Sequence, residues 1–286
     1  MYYKIIAVDL DGTLFTDDKT VLPETAEALK KAAENGLHII SATGRPYSGL
    51  TDTVLSMGFF DYAITANGAA VYRISDRKCI YEAPLPPQKA ADILCGLRRF
   101  EISVDVFANG NAYKEKKQLD VIDKLPLTDK MKNYIRNTRI YVDDMPKFFL
   151  DSSMQVQKIT LNFFGDGKGG SVHREETAAY LKGIDGITVV CGGDNNLEIS
   201  AAGVSKGTAL LKTAEFLGAD PSQTIAFGDS GNDLDIIKAA GIGIAMGNGT
   251  EEIKAAADMI TLSNNENGIA KALKQLIINS YRQQNN

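Results

Sequence analysis

Lys4-Ile5-Ile6-Ala7-Val8-Asp9-Leu10-Asp11-Gly12-Thr13 is the stretch whose reading organises the whole chain. Residues 5–8 form an apolar, partly β-branched run, the pattern of a strand buried on both faces. The run ends in two carboxylates at i and i+2, which point to the same side of an extended chain. Gly12 then permits a turn whose dihedrals a bulkier residue resists. In open α/β sheets, ligands gather outside the carboxyl ends of strands. Two acids placed so closely repel unless a cation or a shared proton relieves them, and a hard divalent cation such as Mg2+ takes oxygen ligands of this kind. Taken alone, the stretch also fits an ordinary Asp- and Gly-containing turn. The rest of the chain decides between the two.

Working outward, strand and helix patterns alternate. Residues 23–35 read as a helix that starts at Pro23 and stops at Gly36. The run 37–40 reads as a strand breaking into Ser41-Ala42-Thr43-Gly44-Arg45-Pro46, and 62–65 as another ending at Asn67-Gly68. From about Pro84 the texture changes. Residues 102–106 alternate strictly, as in a sheet with one wet face, and 156–164 and 187–190 read as further strands. The earlier pattern then returns. Residues 197–199 read as a strand, 206–217 as a helix, and 224–227 as a strand opening into Gly228-Asp229-Ser230-Gly231-Asn232-Asp233. The fold class expected is α/β: a doubly wound parallel-sheet, Rossmann-like core with an inserted α+β domain. The boundaries expected are 1–83 and 193–286 for the core and 84–192 for the insert. Residues 283–286 are expected to be disordered.

Asp9 and Asp11, Thr43, Lys206, and Asp229 with Asn232 and Asp233 each follow a core strand or open the next helix. In a parallel sheet those places share one edge. Their types suit a phosphoryl group, which calls for an ammonium, a hydroxyl donor, backbone N–H groups near Leu10 and Gly44, and a metal held by carboxylates. A carboxylate can attack phosphorus, and a second can protonate the leaving oxygen and then activate water. Individually each residue has a plainer reading: Lys206 as a surface lysine, Thr43 as a cap, Asp229-Ser230-Gly231 as a turn.

The set resembles the haloacid dehalogenase-like hydrolase superfamily. Its four motifs appear in order as Asp9-Leu10-Asp11-Gly12-Thr13, Thr43-Gly44-Arg45, Lys206, and Gly228-Asp229-Ser230-Gly231-Asn232-Asp233. The finer resemblance is to the Cof-like phosphatases, of sugar-phosphatase type. It is carried by Thr43-Gly44-Arg45-Pro46, Asn67-Gly68-Ala69, Leu197-Glu198-Ile199, Gly203-Val204-Ser205-Lys206-Gly207 and Ala245-Met246-Gly247-Asn248. Gly249 stands where that family usually has Ala, and the stretch 191–195 is less typical of it. The resemblance implies a Mg2+-dependent phosphomonoester hydrolase of small phosphorylated metabolites, sugar phosphates above all, working through an aspartyl-phosphate. By the same match Asp9 is the nucleophile and a metal ligand. Asp11 is the general acid/base and touches the metal through its backbone carbonyl, and Asp229 is a metal ligand. Leu10, Thr43, Gly44, Lys206 and Asn232 bind phosphate, and Asp233 stands behind them as an anchor for Lys206 or for the metal's water. The insert is expected to cap the pocket and read the leaving group. Asn109, Asn111, Tyr113 and Lys158 are its candidate contacts.

Composition bounds the alternatives. The chain has 286 residues, 44% of them hydrophobic, enough for one large or two ordinary cored domains. Its net charge of −5 argues against a nucleic-acid partner, which calls for a basic footprint. Cys79, Cys95 and Cys191 form no metal-type pair, and the expectation is a reducing compartment with the cysteines as small core residues. Two histidines exclude a His-rich metal site. No apolar run approaches a membrane span, and the expected location is cytoplasmic. Whether the protein is a monomer or a dimer is not legible. Two other functions share the same residues: a phosphotransferase or phosphomutase, and a signalling module phosphorylated on an Asp. The second has no need of a general acid at Asp11.

Overall fold

The computed structural model describes residues 2–193 and 195–284. In chain order, the first unit begins with β1 (Ile5–Asp9), α1 (Pro23–Glu34), β2 (His38–Ala42), α2 (Asp52–Ser56), β3 (Phe60–Thr65), β4 (Ala70–Arg73) and β5 (Cys79–Glu82). A second run of elements follows: α3 (Pro87–Leu97), β6 (Ile102–Ala108), β7 (Asn111–Glu115), α4 (Asp129–Thr138), β8 (Ile140–Val142), α5 (Met145–Ser152), β9 (Lys158–Phe163), α6 (Arg174–Lys182), β10 (Ile187–Gly193) and β11 (Asn196–Ala201). The chain closes with α7 (Lys206–Phe216), β12 (Thr224–Gly228), α8 (Leu234–Ala239), β13 (Ile242–Ala245), α9 (Glu251–Ala256), β14 (Met259–Ile260) and α10 (Gly268–Gln284). Two compact units result. One comprises 1–44, 50–81 and 205–286, the other 45–49 and 82–204.

The first unit holds an eight-stranded sheet ordered β14-β13-β12-β1-β2-β3-β4-β5. The pairs from β14 through β3 are parallel, and β4 turns antiparallel on β3. All five residues of β1 are buried, which accounts for its lack of polar alternation before Asp9. The chain runs from β1 outward through β2 and β3, then returns to build β12, β13 and β14 on the other side. The strand order therefore reverses between β1 and β12, the place where such sheets open a ligand crevice beyond their carboxyl ends. Register brings the motif ends level: Val8 pairs with Phe227, and Asp9 with Ala42. Core side chains of the sheet and of α7 and α8, among them Ile5, Ile40, Ile64, Leu210 and Ile236, form one cluster. Each such fully buried aliphatic contributes roughly 1.5–3 kcal/mol.

The second unit is a six-stranded sheet ordered β10-β11-β9-β6-β7-β8, antiparallel except for β7 with β8. One face packs Val104, Val106, Ile159, Leu161 and Ile199 against α3, α5 and α6. The opposite face is polar yet buried. Asp105 accepts from Arg139 Nε at 2.8 Å, Lys114 Nζ at 3.4 Å and Asn162 Nδ2 at 3.3 Å. Lys114 also donates to Ser103 Oγ at 2.7 Å. Burial alone would raise the Asp105 carboxyl, but Lys114 and Arg139 together outweigh it and hold it below its usual range.

Several expectations change here. Residues 197–199 were expected in the core sheet; β11 instead lies between β10 and β9 in the second unit, and the return to the first unit comes at residue 205 rather than 193. A strand of five or six residues carries no label for the sheet it joins; pairing partners decide that. The hairpin strands β4 and β5 and the short β7 and β8 escaped the pattern. The cysteines are not core residues: Cys79, Cys95 and Cys191 are all exposed. Cys79 and Cys191 lie on β5 and β10, which are edge strands. Tyr113 is no surface contact: paired with Val106, it faces the helices and packs on Phe148 and Phe149. Of the tail expected to be disordered, Gln283 and Gln284 belong to α10, while residues 285 and 286 lie outside the described residues, as does Asp194 within the atypical 191–195 stretch. No helix among the described residues is long and apolar enough to cross a membrane.

The Asp105 network carries a stability prediction. A carboxyl with depressed pKa contributes stability that is full above its unfolded value, about 3.9, and is lost as pH falls through the lower folded value. Asp105→Asn should cost about 3–5 kcal/mol at pH 7, the scale of breaking a buried pair, measured by urea unfolding. The difference from the wild type should shrink progressively below the unfolded value. A gap of the same size at pH 7 and at the lowest pH reached would contradict the ionic account.

Candidate active site

The elements of the first unit deliver the motif residues to one edge. Asp9 is the last residue of β1 and is 6% exposed. Thr43 follows β2. Its N–H donates to Ile64 O at 2.9 Å and its carbonyl accepts from Asn67 N–H at 3.1 Å, which fixes the turn that Gly44 completes. Leu10 is fully buried, and this pins the backbone between the two acids. Lys206 is the first residue of α7, behind a capping box in which Ser205 accepts from Thr208 N–H and Thr208 accepts from Ser205 N–H. Gly68 lets this helix start sit close. Its φ is +100°, and a Cβ there would lie 2.0 Å from the Ser205 carbonyl oxygen. The sequence Asn67-Gly68 thus reads as the seat of the Lys206 helix.

Lys206 Nζ donates to Asp9 Oδ1 at 2.7 Å and to Asp233 Oδ1 at 2.6 Å, with all three groups buried. Asp233 Oδ2 accepts in turn from the Asp229 and Ser230 N–H groups, both at 3.1 Å. It therefore ties the lysine to the turn that carries Asp229. Asp229 accepts from Thr13 Oγ1 at 2.8 Å. Gly12, with φ +92°, passes so near that a Cβ would lie 2.5 Å from Asp229 Oδ2; any side chain there would collide with the carboxylate.

Asp9, Asp229 and Asp233 offer carboxylate oxygens within 4.8 Å of one another, close enough to share one cation. Three carboxylates face one ammonium, so the cluster carries two negative charges in excess when all are ionised. The strain shows in the acids. Burial above all, then the Asp233 charge, pushes the Asp9 carboxyl well above its ordinary range, against the pull of Lys206. Burial likewise pushes Asp229 up to about 6, although the Thr13 hydroxyl favours its ionised form. Burial would lower the Lys206 ammonium, but Asp233 and Asp9 outweigh it and keep it protonated. A divalent cation would supply the missing charge, and oxygen ligands suit a hard one; the donor set fits.

Other expected residues stand apart from this cluster. The Asp11 carboxylate is exposed and paired with Lys19 Nζ at 3.0 Å. Asn232 is exposed on the turn after β12, its Oδ1 accepting from Ser230 Oγ at 2.8 Å. Two residues that sequence reasoning passed over belong to the setting. Thr13, the last residue of the first motif, bonds to Asp229 through its hydroxyl. Asn248, quoted in Ala245-Met246-Gly247-Asn248, donates through Nδ2 to Gly12 O at 2.8 Å. Asp17 accepts from Asn265 and Asn264, which lower its carboxyl. His38 pairs with Asp61 at 2.8 Å, and His173 Nδ1 accepts from Glu101 N–H at 3.1 Å. In the second unit, Glu198 pairs with Lys158 at 2.6 Å.

The chain's likenesses agree with this geometry. Phosphatase YwpJ of Bacillus subtilis (strain 168) is 30% identical over 291 residues, spanning 96% of this chain and all of that protein. Pyridoxal phosphate phosphatase YbhA of Escherichia coli (strain K12) is 27% identical over 278 residues, spanning 97% of this chain and all of that one. Among solved structures, the subclass IIB sugar phosphatase BT4131 superposes with a TM-score of 0.76 at 25% identity, covering 96% of this chain and 99% of its own. The family profile of haloacid dehalogenase-like hydrolases matches residues 6–273. A buried Lys206–Asp9–Asp233 cluster on a sheet edge, within a match of this length, makes the chain an enzyme that belongs to the haloacid dehalogenase-like hydrolases, in their Cof-like phosphatase family.

Proposed function

We propose that the protein is a Mg2+-dependent phosphomonoesterase of small phosphorylated metabolites, with sugar phosphates as the leading substrate class, and that it works through an aspartyl-phosphate on Asp9. The observation that carries this reading is the buried Asp9 carboxylate held by Lys206 beside Asp229 and Asp233. Sugar phosphates and pyridoxal phosphate enter as candidate substrates because relatives bear those activities in their names. The inserted unit is the part of the chain left to select the leaving group, with Asn109 and Asn111 as its candidate contacts; Tyr113, packed in the core, and Lys158, buried and paired with Glu198, are set aside.

Asp9, Asp229 and the Asp11 backbone carbonyl would hold the cation, with Asp233 close by. When bound, Mg2+ neutralises phosphoryl oxygens and relieves the crowding of the carboxylates. In the first half-reaction an Asp9 Oδ forms a bond to phosphorus as the ester P–O bond breaks. The leaving oxygen takes a proton from Asp11. Thr43, the Leu10 and Gly44 backbones, Asn232 and the Lys206 ammonium bind the phosphoryl oxygens. In the second half-reaction a water gives its proton to Asp11 and bonds to phosphorus. The P–O bond to Asp9 breaks, returning the Asp9 carboxylate and inorganic phosphate.

The panel that tests this reading contains sugar phosphates, nucleotides and pyridoxal phosphate, assayed for phosphate release with Mg2+. Release from none of them ends the proposal. Transfer to a second sugar with little free phosphate would favour a mutase instead. Asp9→Asn should lower turnover on the order of 10⁴-fold or more, as loss of a covalent nucleophile does, and should bind no beryllofluoride in its phosphoenzyme-like form, read by fluorine NMR. Asp11→Asn should cost about 10²–10⁴-fold, the contribution of a positioned acid and base, and should keep the beryllofluoride adduct. Unchanged turnover in that variant contradicts the role given to Asp11. Chelation with EDTA should abolish phosphate release and added Mg2+ restore it; activity that survives exhaustive chelation removes the metal from the reading.

A further inference from the structure

The loop that carries Asp11 is held from outside by a second segment of the same unit. Within the loop, Leu14 N–H donates to Asp9 O at 3.1 Å and Phe15 N–H to Leu10 O at 2.9 Å. These bonds secure the ends near β1 but leave the peptide between Gly12 and Thr13 without a backbone partner among the hydrogen bonds described. That peptide is the one whose setting matters. It lies one residue beyond Asp11, across the dihedrals of Gly12, and it precedes the Thr13 hydroxyl that bonds to Asp229.

Asn248 fills the gap. Its Nδ2 donates to Gly12 O at 2.8 Å, and its Oδ1 accepts from Asn264 N–H at 3.0 Å. Asn264, only 4% exposed, sends its own Nδ2 to Phe15 O at 2.9 Å and to Asp17 Oδ1 at 3.2 Å. One carboxamide therefore reads the Gly12 carbonyl while being oriented by a backbone N–H, and the next reads the Phe15 carbonyl. Both bonds run from a side-chain amide to a main-chain carbonyl, so they fix the orientation of peptide planes rather than the placement of a side chain. Gly12 is the residue in need of such a tie. Its φ of +92° lies in the region where glycine has a wide choice of conformations, and the nearby Asp229 carboxylate excludes any side chain that would restrict it.

We infer that Asn248, oriented by Asn264, is a positioning residue that sets the direction of the Asp11 carboxyl through the Gly12 peptide. Its contribution falls on proton delivery to the leaving oxygen. The inference rests on the role proposed for Asp11 above. It differs from a merely structural role in a measurable way, because a poorly placed acid penalises esters with basic leaving groups more than esters whose leaving groups depart unaided.

The test compares kcat/KM for phenyl phosphate, a poor leaving group, with that for 4-nitrophenyl phosphate, a good one, in the full-length enzyme with Mg2+. Asn248→Ala should lose about tenfold more on phenyl phosphate than on 4-nitrophenyl phosphate, a part of the ~10²–10⁴-fold contribution of a positioned acid. Asn248→Asp keeps an acceptor for Asn264 N–H but has no donor for Gly12 O. It should show the same selective loss, and it carries the test should the alanine variant fail to fold. Equal losses on both esters, or none, overturn the inference. Asp11→Asn in the same assay separates the two claims. If Asp11→Asn shows no selective loss, the role given to Asp11 fails and this inference with it. If Asp11→Asn shows the loss and both Asn248 variants do not, the inference alone is wrong.

Discussion

The site depends on one buried ammonium. Lys206 lies between Asp9 and Asp233, which belong to separate elements, and makes a hydrogen-bonded ion pair with each. Removing these charges from water costs several kcal/mol per ion, and only good geometry with further hydrogen bonds recovers it. Asp233 meets that condition by also accepting two backbone N–H groups, so the cost of burial is offset by fastening the turn after β12. The end of β1, the start of α7 and the turn carrying Asp229 are thereby locked together through one side chain. The close seat of Ser205 against Gly68 follows from the same demand, because the lysine reaches both acids only if its helix begins where it does.

The cluster is left short of positive charge, and this shortage is its chemical resource. A site with balanced charges would be stable and inert. Here one ammonium serves three carboxylates, and both Asp9 and Asp229 are pushed toward protonation by burial. A divalent cation would bring the charge that the set lacks. The protein thus holds an unfavourable arrangement in place with its fold, using the parallel pairing of β1 with β12 and β2 to fix spacings that the charges alone would open.

The first unit was largely legible because its rules are local. Asp9 follows a run whose burial the β-branched residues announce, and each of Thr43, Lys206 and Asp229 falls at a strand end or helix start that glycines and caps mark out. Convergence then follows from parallel pairing. The second unit was less legible, because its assembly rests on non-local pairing. The strand at 196–201 has the same texture whether it joins β9 or the core, and only its register with Leu161 and Ile159 assigns it. Tyr113 looked like a polar contact at a turn, yet one step of strand alternation turned it to the helices. Asn248 was visible as part of a motif but mute, since no spacing in sequence connects residue 248 with a carbonyl at residue 12.

The two acids with which the chain begins end in opposite physical circumstances. Asp9 is on a strand with neighbours on both sides, 6% exposed, its carboxylate held by a fixed cation. Asp11, two residues on, is exposed and paired with Lys19 on its own loop. An attacking group gains from being rigid and sheltered, because its electrostatic surroundings are then set before the substrate arrives. A group that must give up a proton and take another gains from contact with water and from a setting that can adjust between the two steps. For the roles proposed for Asp9 and Asp11, the i, i+2 spacing delivers both from one strand end. It places the first acid inside the last register of β1 and lets the second leave it, and Gly12 makes that departure possible within a single residue.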